Sequence, residues 1–313
     1  MTPMKLLRAC LLGLFAASTQ AAGLWHGPYQ DVSMAEPAVP LPPPKPGHVV
    51  VWAFATGACG DEKWGAFDTD TFAREKRQAF EREGRDFVVS TGGEADSFHC
   101  ETDEGMARFM ARYNSPRLVG VDFDIERNQT PAQIDALVQR ARWLHQQQPK
   151  LRLMFTLASH AASDGSGRSL NATGLTVLAA LRRHGLQDIA VINLMVMNYG
   201  PADARWCVVS QARCDMGASA LQAARNLHTQ QGIAYARIAL TAMPGENDVA
   251  GNVFLHADAH TLMQGARELG LAGVHYWSRG RDQSCPAGSP RVSPLCHGLP
   301  GLPVGAFGKA LGG

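Results

Sequence analysis

The chain has 313 residues, and its 29 Lys and Arg nearly balance its 28 Asp and Glu, which gives a formal net charge of +1 at pH 7. This balance provides no electrostatic attraction for nucleic acid or for an anionic membrane, and it leaves a neutral polymer open as a partner. The length fits one large domain, such as an α/β barrel of about 250 residues.

Residues 1–22 have the features of a secretory signal peptide. Lys5 and Arg8 form a short positive region, an apolar core follows from Leu11 to Ala17, and small residues suited to cleavage end the segment. The apolar run is too short to span a bilayer, and no later segment reaches that length. We therefore expect a secreted monomer, periplasmic or extracellular, in which residues 23–313 form a single domain with a Cys-containing C-terminal loop.

Apolar runs alternate with helical patterns along the rest of the chain. Continuous apolar runs are typical of parallel strands that are covered on both faces. They occupy residues 49–55, 87–90, 118–126, 151–157, 189–197, 236–242 and 272–277. Between them, Thr130-Pro-Ala-Gln133 has the composition of a helix N-terminus, and Gly185, Gly232 and Gly270 each follow a helical pattern. This alternation predicts a parallel α/β architecture.

The segment from Glu36 to Gly47 contains six prolines, which exclude a helix and favour an extended connection. One interpretation is a linker between the signal peptide and the domain. In the other, Tyr29-Gln-Asp-Val32 is the first strand and the proline-rich segment replaces the first helix. The second interpretation completes the eight strands of a (β/α)8 TIM barrel, and we adopt it for that reason.

Cysteine usage agrees with export. Apart from Cys10, six cysteines remain, and an even number in an oxidising compartment favours disulfides. Six cysteines allow about 15 pairings. The pairs Cys207–Cys214 and Cys285–Cys296 are close enough in sequence to form local loops, which leaves Cys59–Cys100. No Cys or His spacing matches a zinc site, so we expect no metal.

The segment Asp122-Phe-Asp-Ile-Glu126 is the most informative in the chain. Side chains alternate along a strand, so its three carboxylates share one face and its apolar residues share the other. In a half-exposed antiparallel sheet this pattern would be ordinary. In a parallel α/β fold the apolar face meets the helices, so the carboxylates point into the barrel and perturb one another's pKa values. Glu126 would lie at the carboxyl end of the strand, where barrel enzymes place catalytic groups.

Two motifs then match a known family. Gly120-Val-Asp-Phe-Asp-Ile-Glu126 resembles the DGxDxDxE signature of glycoside hydrolase family 18, the chitinases and their relatives. Ser90-Thr-Gly-Gly93 resembles the family's SxGG motif on the preceding strand. The resemblance continues in Asn193–Gly200, Leu240–Asp248 and His275–Asp282, which are similar to the last three strand motifs of a bacterial chitinase branch, and in Tyr29-Gln-Asp31, which is similar to its first.

The resemblance implies that the chain cleaves β-1,4-linked N-acetylglucosamine polymers or oligomers, such as chitin, with retention of configuration and without a cofactor. Glu126 would protonate the glycosidic oxygen and later activate water. The nucleophile would be the acetamido carbonyl of the substrate, which is an exception to the two-carboxylate scheme. Asp124 would orient this acetamido group and stabilise the oxazolinium intermediate, and Asp122 would share a proton with Asp124.

The resemblance also implies a set of substrate contacts. Asn198 and Tyr199 would hydrogen-bond the acetamido group, and Trp277 would stack beneath the sugar ring. The full set of expected substrate-binding residues is Asn198, Tyr199, Trp277, Met197, Ser90 and Asn247. Two positions depart from the family pattern. Val119 replaces the first Asp of the long signature, which this branch commonly lacks, and Asn198 stands where Asp is more usual.

Two other functions remain open from the sequence. A chitin-binding lectin could retain the barrel without turnover, although such proteins usually replace the acid that is intact here as Glu126. An endo-β-N-acetylglucosaminidase acting on other glycans would use the same barrel with different loops.

Overall fold

A computed structural model describes residues 23–32, 34 and 37–312, so the predicted signal peptide lies outside the described residues. Eight parallel strands close into a barrel in chain order, with the first strand paired to both the second and the last. They are β1 Trp25–Asp31, β2 Val49–Ala55, β3 Asp86–Gly92, β4 Leu118–Asp124, β5 Arg152–Ala158, β6 Val191–Met195, β7 Ile238–Ala242 and β8 Gly273–Tyr276. This confirms the predicted (β/α)8 barrel.

Helices follow the strands from β2 onward. They are α1 Thr69–Glu83, α2 Asp103–Tyr113, α3 Pro131–Gln147, α4 Ala172–Arg183, α5 Met216–Gln231, α6 His256–Leu269 and the short α7 Ala306–Ala310. Between β1 and β2 the described residues form no helix, so the proline-rich connection takes its place as predicted. No helix in the described part of the chain combines the length and apolarity needed to cross a bilayer.

The helix termini follow the predicted chemistry. Thr130 accepts a hydrogen bond from the backbone of Gln133, whose side chain in turn accepts from the Thr130 backbone, so a complete capping box begins α3. Gly232 and Gly270 end α5 and α6 in the left-handed conformation, with φ angles of 70° and 67°.

The barrel separates two apolar cores. The larger lies between strands and helices. It contains Val121 and Phe123 from the predicted outward face of β4, and Ile125, which directly follows the strand. The smaller fills the inside of the barrel and includes Val51, Met154 and other buried residues. Towards the carboxyl ends of the strands, the interior becomes polar. The fold therefore places the inward side chains of β4 in a polar layer that lies above the apolar core inside the barrel.

Three disulfides staple the loops: Cys59–Cys100, Cys207–Cys214 and Cys285–Cys296. These are the predicted pairs. The first joins the loop after β2 to the loop after β3, and its cysteines are 41 residues apart in sequence. The cysteines of the second are only 7 residues apart, so it closes a short local loop.

Removing the Cys59–Cys100 disulfide by replacing both residues with Ala should lower the free energy of unfolding by about 4 kcal/mol, because the long loop gains chain entropy when unfolded. Removing Cys207–Cys214 in the same way should cost only about 2.5 kcal/mol, since its loop is shorter. Urea denaturation of the two double variants measures this difference. An equal or reversed order of the two losses would contradict the loop-entropy explanation.

Candidate active site

A cavity of about 290 Å³ opens at the carboxyl ends of the barrel strands. Six of the predicted site residues line it, which are Asp124, Glu126, Met197, Asn198, Tyr199 and Trp277. Three others do not. Asp122 and Ser90 are fully buried beneath the cavity, and Asn247 is fully buried behind the loop that follows β7.

Asp122 anchors a hydrogen-bonded floor under the cavity. Three hydroxyl groups donate to its carboxylate at 2.8, 2.7 and 2.7 Å, from Tyr29, Ser90 and Thr156 respectively. Burial raises the pKa of Asp122 to about 6, and these hydrogen bonds oppose the rise because they stabilise the anion. Asn193 extends the floor by donating to the Tyr29 hydroxyl at 3.0 Å and to Thr156 at 2.9 Å.

Asp124 lies one layer above this floor in a different environment. It is 5% exposed, and its Oδ1 atom has no hydrogen-bond partner in the described part of the protein. Burial, followed by the nearby carboxylates of Glu126 and Asp122, raises the pKa of Asp124 well above its ordinary value. A proton on this pair of aspartates therefore resides on Asp124, while Asp122 is the better stabilised anion.

Glu126 follows β4 by two residues at the rim of the cavity, so the predicted strand to residue 126 ends slightly earlier than expected. Burial raises the pKa of Glu126 to about 7, with a further rise from the Glu94 carboxylate and an opposing effect from Arg127. Glu94 and Arg127 form an ion pair with each other. The side chain of Glu126 is thus able to hold and release a proton near neutral pH.

Two glycines of the SxGG motif let neighbouring groups approach the site closely. A Cβ on Gly92 would lie 2.2 Å from the backbone oxygen of Asp124, and one on Gly93 would lie 2.8 Å from the ring of Phe54. Both residues have positive φ angles, 86° and 84°. Phe54 in turn stacks on Trp277 with the ring centroids 5.3 Å apart. The motif therefore packs the end of β3 against β4 and holds the ring of Phe54 against Trp277.

Asn198 and Tyr199, which follow β6, differ in their availability. Both polar atoms of the Asn198 side chain are engaged by the loop after β7, through Asp248 at 2.8 Å and the Val249 backbone at 3.1 Å. The Tyr199 hydroxyl is buried in the cavity wall and has no partner among the described residues that meets hydrogen-bond geometry. Tyr199 is therefore the better placed of the two to receive a ligand.

Asn247 has a supporting position. Its amide donates to the backbone oxygens of Met243 and Gly245 at 2.9 and 3.0 Å, and its side-chain oxygen accepts from the backbone of Asn198 at 3.3 Å. These contacts hold the loop after β7 against the loop after β6. The neighbouring Asp248, rather than Asn247, lines the cavity.

Several residues of the site were not predicted as functional. Thr156 and Asn193 are polar interruptions of apolar strand runs, and that signal could have identified them as inward-facing. Glu94 follows the SxGG motif directly. The cavity also takes in Ser159, His160 and Asn171 from the segment between β5 and α4. This segment has no period or motif, so its approach to the site depends on tertiary packing. Within the described residues, no group of three or more His, Cys, Asp or Glu could hold a metal ion.

Comparison with known proteins confirms the resemblance to family 18 chitinases. The chain is 29% identical over 258 residues to the probable bifunctional chitinase/lysozyme of Escherichia coli (strain K12) and 27% identical over 255 residues to endochitinase 11 of Metarhizium anisopliae. These alignments cover 75% and 74% of this chain but only 27% and 46% of the two relatives. The chain thus corresponds to part of each relative. No protein-family model matches the chain.

The fold is also that of solved chitinase structures. Two structures of chitinase domains from Pyrococcus furiosus, one of them complexed with chito-oligosaccharides, superpose with TM-scores of 0.70 and 0.71. Both alignments cover 92% of this chain and 93% of the other, at 24% and 22% identity. The barrel and its strand order are therefore those of a chitinase-like (β/α)8 protein.

Proposed function

We propose that the chain is a glycoside hydrolase that cleaves β-1,4-linked N-acetylglucosamine polymers or oligomers by substrate-assisted, retaining catalysis. The observation that carries this proposal is that Asp124 and Glu126 line one cavity with Trp277. Burial raises the pKa of both carboxyls, that of Glu126 to about 7. The two relatives, which the chain matches over part of their length, are named chitinase and endochitinase, and these names support the same substrate class.

The arrangement of groups suits a two-step reaction. In the first step, Glu126 gives its proton to the glycosidic oxygen, the bond from that oxygen to the anomeric carbon breaks, and the acetamido oxygen of the sugar bonds to the same carbon. The product is an oxazolinium ion with positive charge on the former acetamide. In the second step, the Glu126 carboxylate takes a proton from water and the water oxygen bonds to the anomeric carbon. The bond from that carbon to the acetamido oxygen breaks at the same time, which regenerates the neutral acetamide and restores the original configuration.

The two aspartates act on the acetamido group during this reaction. Asp124 is buried and unpartnered at Oδ1, so it can accept the N–H of the acetamide and face the positive charge that develops there. The buried hydroxyl of Tyr199 can donate to the acetamido oxygen and hold it in the position of attack. Asp122 is the anion of the pair before the reaction. As positive charge forms on the acetamide, the proton of Asp124 passes to Asp122, so that Asp124 becomes the negative group that faces the oxazolinium.

Hydrolysis should depend on pH through Glu126. The acid form is active, and its raised pKa keeps that form present up to about pH 7, so kcat/KM should fall as the pH rises through this value. Glu94→Gln should move this alkaline limb to lower pH, and Arg127→Gln should move it to higher pH. Each shift should be at most about 0.7 pH unit, since a charge ~4 Å away in a water-like medium contributes about 1 kcal/mol. Shifts of the same sign in both variants would contradict this explanation.

The principal rival function is binding of chitin without turnover. The two functions are separated by incubating the protein with an N-acetylglucosamine tetramer and following both binding and products. Cleavage supports the hydrolase, whereas tight binding with no cleavage at any pH would identify a lectin. An endo-β-N-acetylglucosaminidase on other glycans is the second rival, and it would leave the tetramer intact while releasing glycans from a high-mannose glycopeptide.

We also infer that the protein acts outside the cytoplasm. Three disulfides need an oxidising compartment to form and persist, and the sequence of residues 1–22 is typical of an export signal. Cell fractionation with a C-terminal tag tests this inference, which predicts recovery in the periplasm or the medium.

A further inference from the structure

Asn198 and Asp248 form a contact at the cavity to which the proposed mechanism assigns no role. The Asn198 amide donates to a carboxylate oxygen of Asp248 at 2.8 Å, and its side-chain oxygen accepts from the Val249 backbone at 3.1 Å. Asn198 has a left-handed backbone with φ 54°, which Asn tolerates better than most residues. The whole side chain of Asn198 is thus directed at the loop after β7.

The backbone of Asp248 is held from the other side. Arg291, which lies in the loop closed by Cys285–Cys296, donates to the backbone oxygens of Asn247 and Asp248 at 2.9 and 2.8 Å. The loop is therefore fixed at its carbonyls, and the Asp248 side chain is fixed by Asn198. Asp248 is exposed and lines the cavity, and the hydrogen bond from Asn198 uses one of its carboxylate oxygens, so the carboxylate retains acceptor capacity for a ligand in the cavity.

We propose that Asp248 is a substrate-binding residue and that Asn198 is its positioning residue. This inference rests on the proposed function, because it assigns a carboxylate that accepts hydrogen bonds from hydroxyl groups of the sugar unit held in the cavity. Hydrogen bonds from neutral donors to a carboxylate are stronger than those between neutral groups. The negative charge that the resemblance places at position 198 stands instead at position 248, on the facing loop.

The two residues are then a matched pair. An Asp at position 198 would place two carboxylates within hydrogen-bond distance of each other, and like charges so close cannot both ionise without cost. An amide at one position and a carboxylate at the other removes this repulsion and aims the carboxylate. The pairing explains why Asn, rather than Asp, suits position 198 in this chain.

The first test is a double-mutant cycle for binding in the Glu126→Gln background, where turnover does not interfere. Asp248→Ala should weaken binding of an N-acetylglucosamine tetramer by roughly 10- to 100-fold, the range for hydrogen bonds to a charged group. Asn198→Ala should weaken it less, and the double variant should bind as Asp248→Ala does. A double variant weakened by the product of the two single effects would overturn the positioning role of Asn198. Unchanged binding by Asp248→Ala would overturn the contact.

The second test uses isosteric changes and pH. Asn198→Asp should retain hydrolysis at pH 5, where the two acids share a proton. Between pH 5 and pH 7.5 its rate of hydrolysis, relative to that of the unchanged protein, should fall about 10-fold because both acids are then forced to ionise. Asn198→Asp combined with Asp248→Asn should remove this extra pH dependence. Asp188→Asn, a change at an exposed residue at the opposite end of the barrel, is the control. A constant ratio of Asn198→Asp to unchanged protein across this pH range would overturn the pairing.

The outcomes separate this inference from the proposed function. Tetramer binding that follows the cycle, together with no cleavage by the unchanged protein, would refute the hydrolase and leave the pairing intact. Cleavage together with multiplicative effects in the cycle would refute the pairing alone. Absence of tetramer binding by Glu126→Gln, together with no cleavage of the tetramer by the unchanged protein, would overturn both.

Discussion

Replacing Glu126 by Gln should lower kcat for N-acetylglucosamine oligomers by roughly 10²–10⁴-fold, the usual contribution of a general acid–base group, and should leave KM nearly unchanged. Gln fills the same space and still hydrogen-bonds, but it cannot give a proton to the leaving oxygen. Steady-state kinetics on the tetramer measure the effect. Glu75→Gln, which changes an exposed glutamate of α1, is the matched control.

The leaving group provides a sharper version of this test. On a dinitrophenyl glycoside the leaving group is a stable anion that departs without protonation. The rate of the first step in Glu126→Gln should therefore be largely restored on that substrate. An equal loss on natural and activated substrates would mean that Glu126 has a structural role rather than the role of an acid. Full activity of the variant on the tetramer would refute the assignment outright.

Replacing Asp124 by Asn should lower kcat by about 10²–10³-fold, comparable to the loss of one electrostatic group that stabilises a transition state. The reason differs from that for Glu126. Asn cannot release a proton, so it cannot become negative beneath the positively charged oxazolinium. The activated substrate should therefore not rescue this variant, because bond cleavage still forms the same ion.

The control for Asp124 is Asp188→Asn, which keeps the chemistry of the change and moves it away from the cavity. Single-turnover rates on the tetramer and on the dinitrophenyl glycoside distinguish the two carboxylates. Rescue of Asp124→Asn by the activated leaving group would contradict the assigned role and would make Asp124 part of the acid step.

The barrel was predictable because its signals are local. From β2 onward each parallel strand is an apolar run, and a helix separates each run from the next, with identifiable caps such as Thr130 and Gly232. The inward direction of Asp122 and Asp124 follows from strand alternation, since Val121 and Phe123 lie in the outer core as expected. The observed strand stops at Asp124, however, and Glu126 lies on the following segment at the rim.

The details of the site depend on contacts between distant segments, which no local pattern encodes. Both polar atoms of the Asn198 side chain bond the loop after β7, because Asp248 and the Val249 backbone meet them there. Asn247 was expected at the substrate, but it is buried and ties two loops together. The Glu94 carboxylate affects Glu126 only because the ends of β3 and β4 are neighbours in the barrel.

The most direct measurement of substrate-assisted catalysis is the anomeric form of the first product. Proton NMR should be recorded within minutes of adding the protein to an N-acetylglucosamine hexamer, before mutarotation. We predict that the new reducing ends appear first as the β-anomer, and that a fully deacetylated hexamer, which lacks the acetamido nucleophile, is not cleaved. Initial release of the α-anomer, or cleavage of the deacetylated hexamer at a similar rate, would contradict catalysis by the substrate's own acetamido group.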